Sequence, residues 1–338
     1  MKALFSAILN ALDRGECAVL CTVIASSGSS PRGAGAKMAV FADGSTRGTV
    51  GGGAVELAAT RQAAEVLQSG KTLVRGYRLR PDEVADIGMV CGGDVTVYFQ
   101  RFSESDRVRL NAILALFDRD ENAWLVTEIR EGCAGELGVY NEAQGLRFLS
   151  GLSEKALRPF LLARAVYTDS LYVEPLVQAG TVYIFGGGHV GKALCPVLAS
   201  VGFRVCVYDE RPALAKPENY PGAACVICGS YAQASALVRL RPCDYAVVMT
   251  PGHQADTLLL LQILQKQTAY VGCIGSKKKI ERTNAALREA GICEERIASV
   301  HSPIGLPILA ETPEEIAVSV AAELIRCRAE YYAKLNSE

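Results

Sequence analysis

Histidine is scarce. The 338 residues hold three, His189, His253 and His301, far apart along the chain. A zinc site of the ordinary kind is therefore not expected. There is no G-x-S-x-G, no Walker lysine motif and no H-E-x-x-H, so the commonest hydrolase, nucleotidase and metalloprotease signatures are missing. No apolar run approaches the ~20 residues of a membrane span. Charge of one sign is missing too: the formal net charge is −1, which gives no electrostatic match to a nucleic acid. Neither nucleic acid nor membrane is expected as a partner.

Hydrophobic residues make up 50% of the chain, and there are 32 glycines and 12 cysteines. The length suits two domains of ordinary size, read here as 1–175 and 176–338. The first residues, MKALFSAILNALDRGECAVL, are patterned rather than uniformly apolar. Ala3, Leu4, Ala7, Ile8, Ala11 and Leu12 fall at helical spacing, which predicts an amphipathic first helix and not a signal peptide. The cysteines are scattered, and Cys17, Cys21, Cys195, Cys206 and Cys273 lie inside apolar runs. That pattern predicts reduced, buried thiols in a cytoplasmic protein. Cys225 and Cys228 form C-x-x-C, but their setting reads as a buried strand.

Thr181 to Asp209 is the most informative stretch. An apolar strand, Thr181 to Phe185, runs into Gly186, Gly188 and Gly191, which fit G-x-G-x-x-G. A helical pattern follows, then a second strand ending at Asp209, 23 residues after Gly186. Gly186 permits a tight turn, Gly188 lets backbone approach a pyrophosphate, and Gly191 lets helix pack on strand. Asp209 sits where a ribose-binding acid is expected. The alternative is a βαβ unit with a tight turn and no ligand. Further strands over 223–228, 245–249 and 269–274 alternate with helices. They predict a Rossmann-like, doubly wound parallel sheet. His189 lies beside the phosphate turn, and His253 follows a strand's C-terminal end; either could donate a proton. A final short strand is expected at 297–300, and Thr312-Pro313-Glu314-Glu315 predicts the start of the last helix.

The N-terminal half reads as an α/β domain with glycine-rich loops. Strands are predicted at 18–25, 37–41 and 46–50. Between the first two lies a polar loop, Ser26 to Gly35, with Arg32 in it and Lys37 just past it. Gly51, Gly52 and Gly53 then open a helix. Both loops could place backbone N–H groups around an anion, with Arg32 and Lys37 adding charge. Alternatively, the triple glycine only lets strand and helix cross closely. Cys91 precedes Gly92 and Gly93 at a turn, a setting that can expose a thiol and favour thiolate. Strands near 124–129, 136–140 and 146–148 are read as completing the first sheet. A helix is expected over 153–165, and 171–179 is read as the connection to the second domain.

Taken together, several stretches resemble the xanthine dehydrogenase accessory protein family, XdhC. They are Gly28-Ser29-Ser30-Pro31-Arg32 through Met38; Gly48 to Gly53 with Glu56; Gly88-Met89 with Cys91-Gly92-Gly93; Gly186 to Val190; Ile274-Gly275-Ser276; and Pro303-Ile304-Gly305-Leu306 with Glu311 to Ala317. The resemblance implies a cytoplasmic chaperone that binds the molybdenum cofactor (molybdopterin), promotes or protects its sulfido form, and delivers it to an apo molybdenum hydroxylase of the xanthine dehydrogenase type. A cysteine desulfurase and the cofactor nucleotidyltransferase are implied as further partners, and a homodimer is left open. On that reading Arg32, Lys37 and Gly51 to Gly53 hold the cofactor's phosphate, and Cys91, beside Gly92, sits near the molybdenum, where a soft thiolate suits the metal. Many relatives carry a cysteine where this chain has Ala54, so Cys91 is the one candidate ligand in a family motif. The Rossmann unit could hold a nucleotide, NAD(P) or a dinucleotide form of the cofactor. Two other readings compete: an NAD(P)-dependent oxidoreductase using His189 or His253 with Asp209, and an interaction protein that keeps only the Rossmann shape.

Overall fold

The strand Ala18–Ser27 (β1) is buried on both faces along most of its length, so its sheet needs cover on both sides. The computed structural model, which describes residues 1–27, 33–78 and 93–335, supplies that cover. The chain divides into two units, Met1–Gln178 and Ala179–Glu338. In the first, β1 pairs antiparallel with Lys37–Phe41 (β2) and Asp94–Phe102 (β5). Thr46–Gly48 (β3) and Leu73–Arg78 (β4) complete the order β3-β2-β1-β5-β4. Odd-numbered residues of β1 face one side and even-numbered ones the other, as a pleated strand requires. Val19, Cys21 and Val23 meet Val55, Ala59, Ala63 and Val66 of the helix Gly53–Ser69 (α2). Ala18 and Leu20 meet the first helix, Lys2–Asp13 (α1), and the helix Arg107–Leu116 (α3). The predicted amphipathic helix forms, with Leu4, Ile8, Ala11 and Leu12 buried; Phe5 joins them, while Ala7 is half-buried and Ala3 exposed. Gly70 ends α2 in the left-handed conformation with its N–H on the Val66 carbonyl.

Ala123–Glu128 (β6), Glu136–Asn141 (β7) and Gly145–Arg147 (β8) do not extend that sheet. They join Val166–Tyr167 (β9) and Leu171–Val177 (β10) in a second antiparallel sheet ordered β8-β7-β6-β10-β9. The segment expected to be a connector is thus an interior strand. Glu174 and Pro175, poor strand formers, disguise it in the sequence. Glu174 is buried against Lys37, and the register shifts between Pro175 and Val177. The helix expected over 153–165 is one turn, Glu154–Leu157 (α4), followed by a 3₁₀ turn containing Pro159.

The second unit is a five-stranded parallel sheet: Thr181–Phe185 (β11), Arg204–Asp209 (β12), Cys225–Cys228 (β13), Tyr245–Val248 (β14) and Tyr270–Cys273 (β15). Its order is β13-β12-β11-β14-β15. Chain order reverses at β11, the switch point of a doubly wound fold. Helices His189–Ser200 (α5) and Pro313–Leu335 (α10) cover one face, where Leu194, Leu198, Val320 and Leu324 are buried. The other face packs Leu259, Leu260 and Ile263 of His253–Ile263 (α7) and Leu287 of Lys277–Glu289 (α8); a short helix, Ala234–Leu237 (α6), adds Ala234. The last helix starts as predicted. The Glu315 amide donates to Thr312 Oγ1 at 3.2 Å and the Thr312 amide to Glu315 Oε2 at 3.0 Å, a capping box.

Two expectations fail here. Residues 294–298 are a helix (α9), and only His301 lies beside β15 in strand fashion, bonded on either side to Val271 and Cys273 at 2.9 Å. The expectation of free, buried thiols holds for Cys21, Cys195 and Cys273; Cys17 is free but only half-buried, and Cys206 is not free. Cys206 and Cys225 are direct partners across β12 and β13, with Cα atoms 4.7 Å apart, and form a disulfide. Register, not sequence spacing, brings them together.

Candidate functional site

Each glycine of the second unit's turn has a separate structural cause. Gly186 has φ 118°, and a Cβ there would lie 2.5 Å from the Met249 carbonyl oxygen. A Cβ on Gly191 would lie 2.4 Å from the Gly186 carbonyl oxygen. Both positions therefore exclude any side chain. Around Gly188, by contrast, a Cβ would meet nothing within 4 Å. This sorting matches the roles of a dinucleotide turn: tight turn, open approach, close packing. Gly187, which the fingerprint leaves unspecified, is also obligatory, because Tyr220 donates its hydroxyl to the Gly187 carbonyl at 2.8 Å and would be struck by a Cβ.

Asp209 ends β12 beneath this turn and is wholly buried. Its Oδ2 accepts from the Gly187 amide and from Arg211 Nη2, both at 2.7 Å; its Oδ1 accepts from Arg211 Nε at 2.8 Å and the Arg211 amide at 2.9 Å. Burial pushes this carboxyl up, but the Arg211 and Gly187 donors pull further, so its pKa ends below the usual aspartate range. Asp209 is thus a carboxylate with its acceptor sites filled by the protein. Sequence reading found Asp209 but missed Arg211, Tyr220 and Gly187. Arg211, two residues on, was within reach of a local search; Tyr220 was not.

His189 and His253 are exposed first residues of α5 and α7, which follow adjacent strands β11 and β14. Behind His253, the buried Asp256 accepts from the Thr250 amide at 3.1 Å and pairs with Lys279. Burial, then Asp256, push the Cys273 thiol up to about 12, so it is held as a thiol.

The first unit's glycine turn differs. Gly51, Gly52 and Gly53 have φ of 137°, 78° and 55°. The carboxylate of Glu56 reaches back to the Gly52 amide at 2.6 Å and takes the Thr49 hydroxyl at 2.8 Å, while the Gly51 amide donates to Thr49 Oγ1 at 3.1 Å. The turn is filled by its own helix. Lys37 does not bring its charge there. Its ammonium forms an ion pair with Glu174, with side chains 3% and 4% exposed, and lies 5.7 Å from the centre of the Tyr172 ring. Arg32, Cys91 and Gly92 lie outside the described residues. Among the described residues, no three histidine, cysteine or acidic side chains gather in a way that could hold a metal ion, and no helix is long and apolar enough to cross a membrane. A cavity of about 290 Å³ between α6 and α7, lined in part by Phe185, Val238 and Ile263, contains none of Gly186 to Gly191 or Asp209.

A Rossmann unit preceded by a glycine-turn α/β domain defines the class of protein. Comparison then defines the family. The XdhC Rossmann domain matches residues 182–324, and the XdhC and CoxI family matches residues 11–78. The chain belongs to the XdhC family. It is 26% identical to a Bacillus subtilis (strain 168) protein whose name makes it a probable component of xanthine dehydrogenase, over 96% of this chain and 97% of that one. It is 25% identical to the Escherichia coli (strain K12) molybdenum cofactor insertion chaperone PaoD, over 95% of this chain and 86% of PaoD. It is also 26% identical to E. coli YqeB but spans only 43% of that protein's length. A Bacillus halodurans crystal structure described as a xanthine dehydrogenase superposes with a TM-score of 0.83 at 25% identity, covering 97% of this chain and 96% of that one.

Proposed function

We propose that this protein is a molybdenum-cofactor insertion chaperone for a molybdenum hydroxylase of the xanthine dehydrogenase type. The observation that carries the reading is the end-to-end similarity to PaoD, whose name states that role. The name of the B. subtilis relative points to the same client class. In this reading the first unit receives the cofactor, with Cys91 offering a soft ligand to molybdenum and Arg32 the cation for the cofactor's phosphate. Lys37 supports the fold there, since its ammonium is buried with Glu174. A cysteine desulfurase and the cofactor nucleotidyltransferase act upstream, so that the sulfido form is made or guarded before delivery. The second unit holds a nucleotide at the open face of Gly188. That same opening favours the alternative, an NAD(P)-dependent oxidoreductase.

The test is cofactor binding by wild type and Cys91→Ala, measured by equilibrium filtration with pterin fluorescence. Stoichiometric binding that is lost in the variant is expected. Binding by neither protein rejects the carrier function, and turnover of NADH with a carbonyl substrate would favour the oxidoreductase.

A further inference from the structure

Hydrogen-bond accounting around Asp209 points to the chemistry of the second unit's ligand. A ribose diol is held by an acid with acceptor sites to spare. Asp209 has none to spare: four protein donors fill its two oxygens. What remains unused beside it are donors. Arg211 is 40% exposed, and its Nη1 has no hydrogen-bond partner among the described residues. Tyr231, just past the end of β13, is 2% exposed. Its hydroxyl is one of the few buried polar atoms without a hydrogen-bond partner among the described residues, and it lies within electrostatic reach of Asp209 and Arg211. An orphaned buried donor is costly, so its persistence calls for an explanation. The neighbouring carboxylate, Glu210, is exposed, where water and salt screen it.

Two idle donors and a saturated acid suit an incoming acceptor, not an incoming hydroxyl pair. A guanidinium fixed at one edge by Asp209 presents its other edge in the geometry that phosphate takes. We infer that the crevice between Gly188 and Arg211 binds a nucleotide whose ribose carries its own phosphate, with Arg211 reading that phosphate and Tyr231 supporting it. The inference rests on the nucleotide-binding reading of the Rossmann unit given above.

Calorimetric titration of the full chain with NADP⁺ and NAD⁺ tests it, and coenzyme A against dephospho-coenzyme A separates a 3′- from a 2′-phosphate. At least tenfold tighter binding of the phosphorylated member of either pair is expected. Arg211→Met should erase that preference. Because this change also strips Asp209 of its partner, Tyr231→Phe serves as the second variant. It should weaken the phosphorylated ligand several-fold and leave the unphosphorylated one unchanged. Equal wild-type affinity within both pairs overturns the inference while the nucleotide reading stands. Failure of all four ligands to bind overturns both.

Discussion

Both units open a helix with a glycine turn, yet only one turn is left open. At Gly51 to Gly53, the protein turns its own Glu56 onto the Gly52 amide and buries the Lys37 ammonium against Glu174. At Gly186 to Gly191, one amide is tied to Asp209 while Gly188 faces open space. A glycine-rich sequence therefore states only that backbone must come close. Whether it comes close to a ligand or to its own side chains depends on partners the motif does not contain.

The largest expected effect would break the first turn's surroundings. Lys37→Ala leaves Glu174 buried without its counter-ion and should cost about 3–5 kcal/mol in denaturant unfolding; a cost below about 1 kcal/mol would mean that the ammonium is available for binding after all. Next come the second turn's glycines. Gly186→Ala and Gly191→Ala should each destabilise by ~1–3 kcal/mol through forced contact. Gly188→Ala should stay within about 1 kcal/mol of wild type, as for a helix N-cap change, yet lose nucleotide binding by calorimetry. Glu56→Ala should cost about 1 kcal/mol as a lost cap. Pyrophosphate should then raise thermal stability more in the variant than in the wild type, whose first turn is already occupied by Glu56. If pyrophosphate leaves the variant's melting temperature unmoved, Gly51 to Gly53 serve packing alone.

The smallest effect is acid sensitivity at Asp209. Its folded pKa is depressed, so its contribution is complete above the unfolded value of about 4 and lost as pH falls through the folded value. Asp209→Asn should therefore narrow the gap in unfolding midpoint between about pH 6 and about pH 3. An unchanged gap would assign the acid sensitivity to other carboxylates such as Glu323, which is also depressed.

Local features were legible in the sequence. The spacing from Gly186 to Asp209, the strands of the parallel sheet and the capped start of α10 each depend on neighbours along the chain. What escaped depends on distant neighbours. Tyr220 reaches Gly187 from 33 residues away, and Glu174 meets Lys37 across 137. Glu174 and Pro175 hid β10 because their reason for being in a strand lies outside it. The resemblance to XdhC was readable from motifs in order, while Arg32 and Cys91, on which the cargo reading leans, lie outside the described residues.

The Lys37–Glu174 pair also bears on how such a protein changes through descent. Losing either partner strands a buried charge, whereas replacing both with apolar residues of similar volume can be neutral. Single changes at either position are thus disfavoured, and paired replacement is the expected route. A library that randomises 32–37 to retune cargo choice would keep returning lysine at 37, and that retention would pass for a binding signal when it reports only a partner in another sheet.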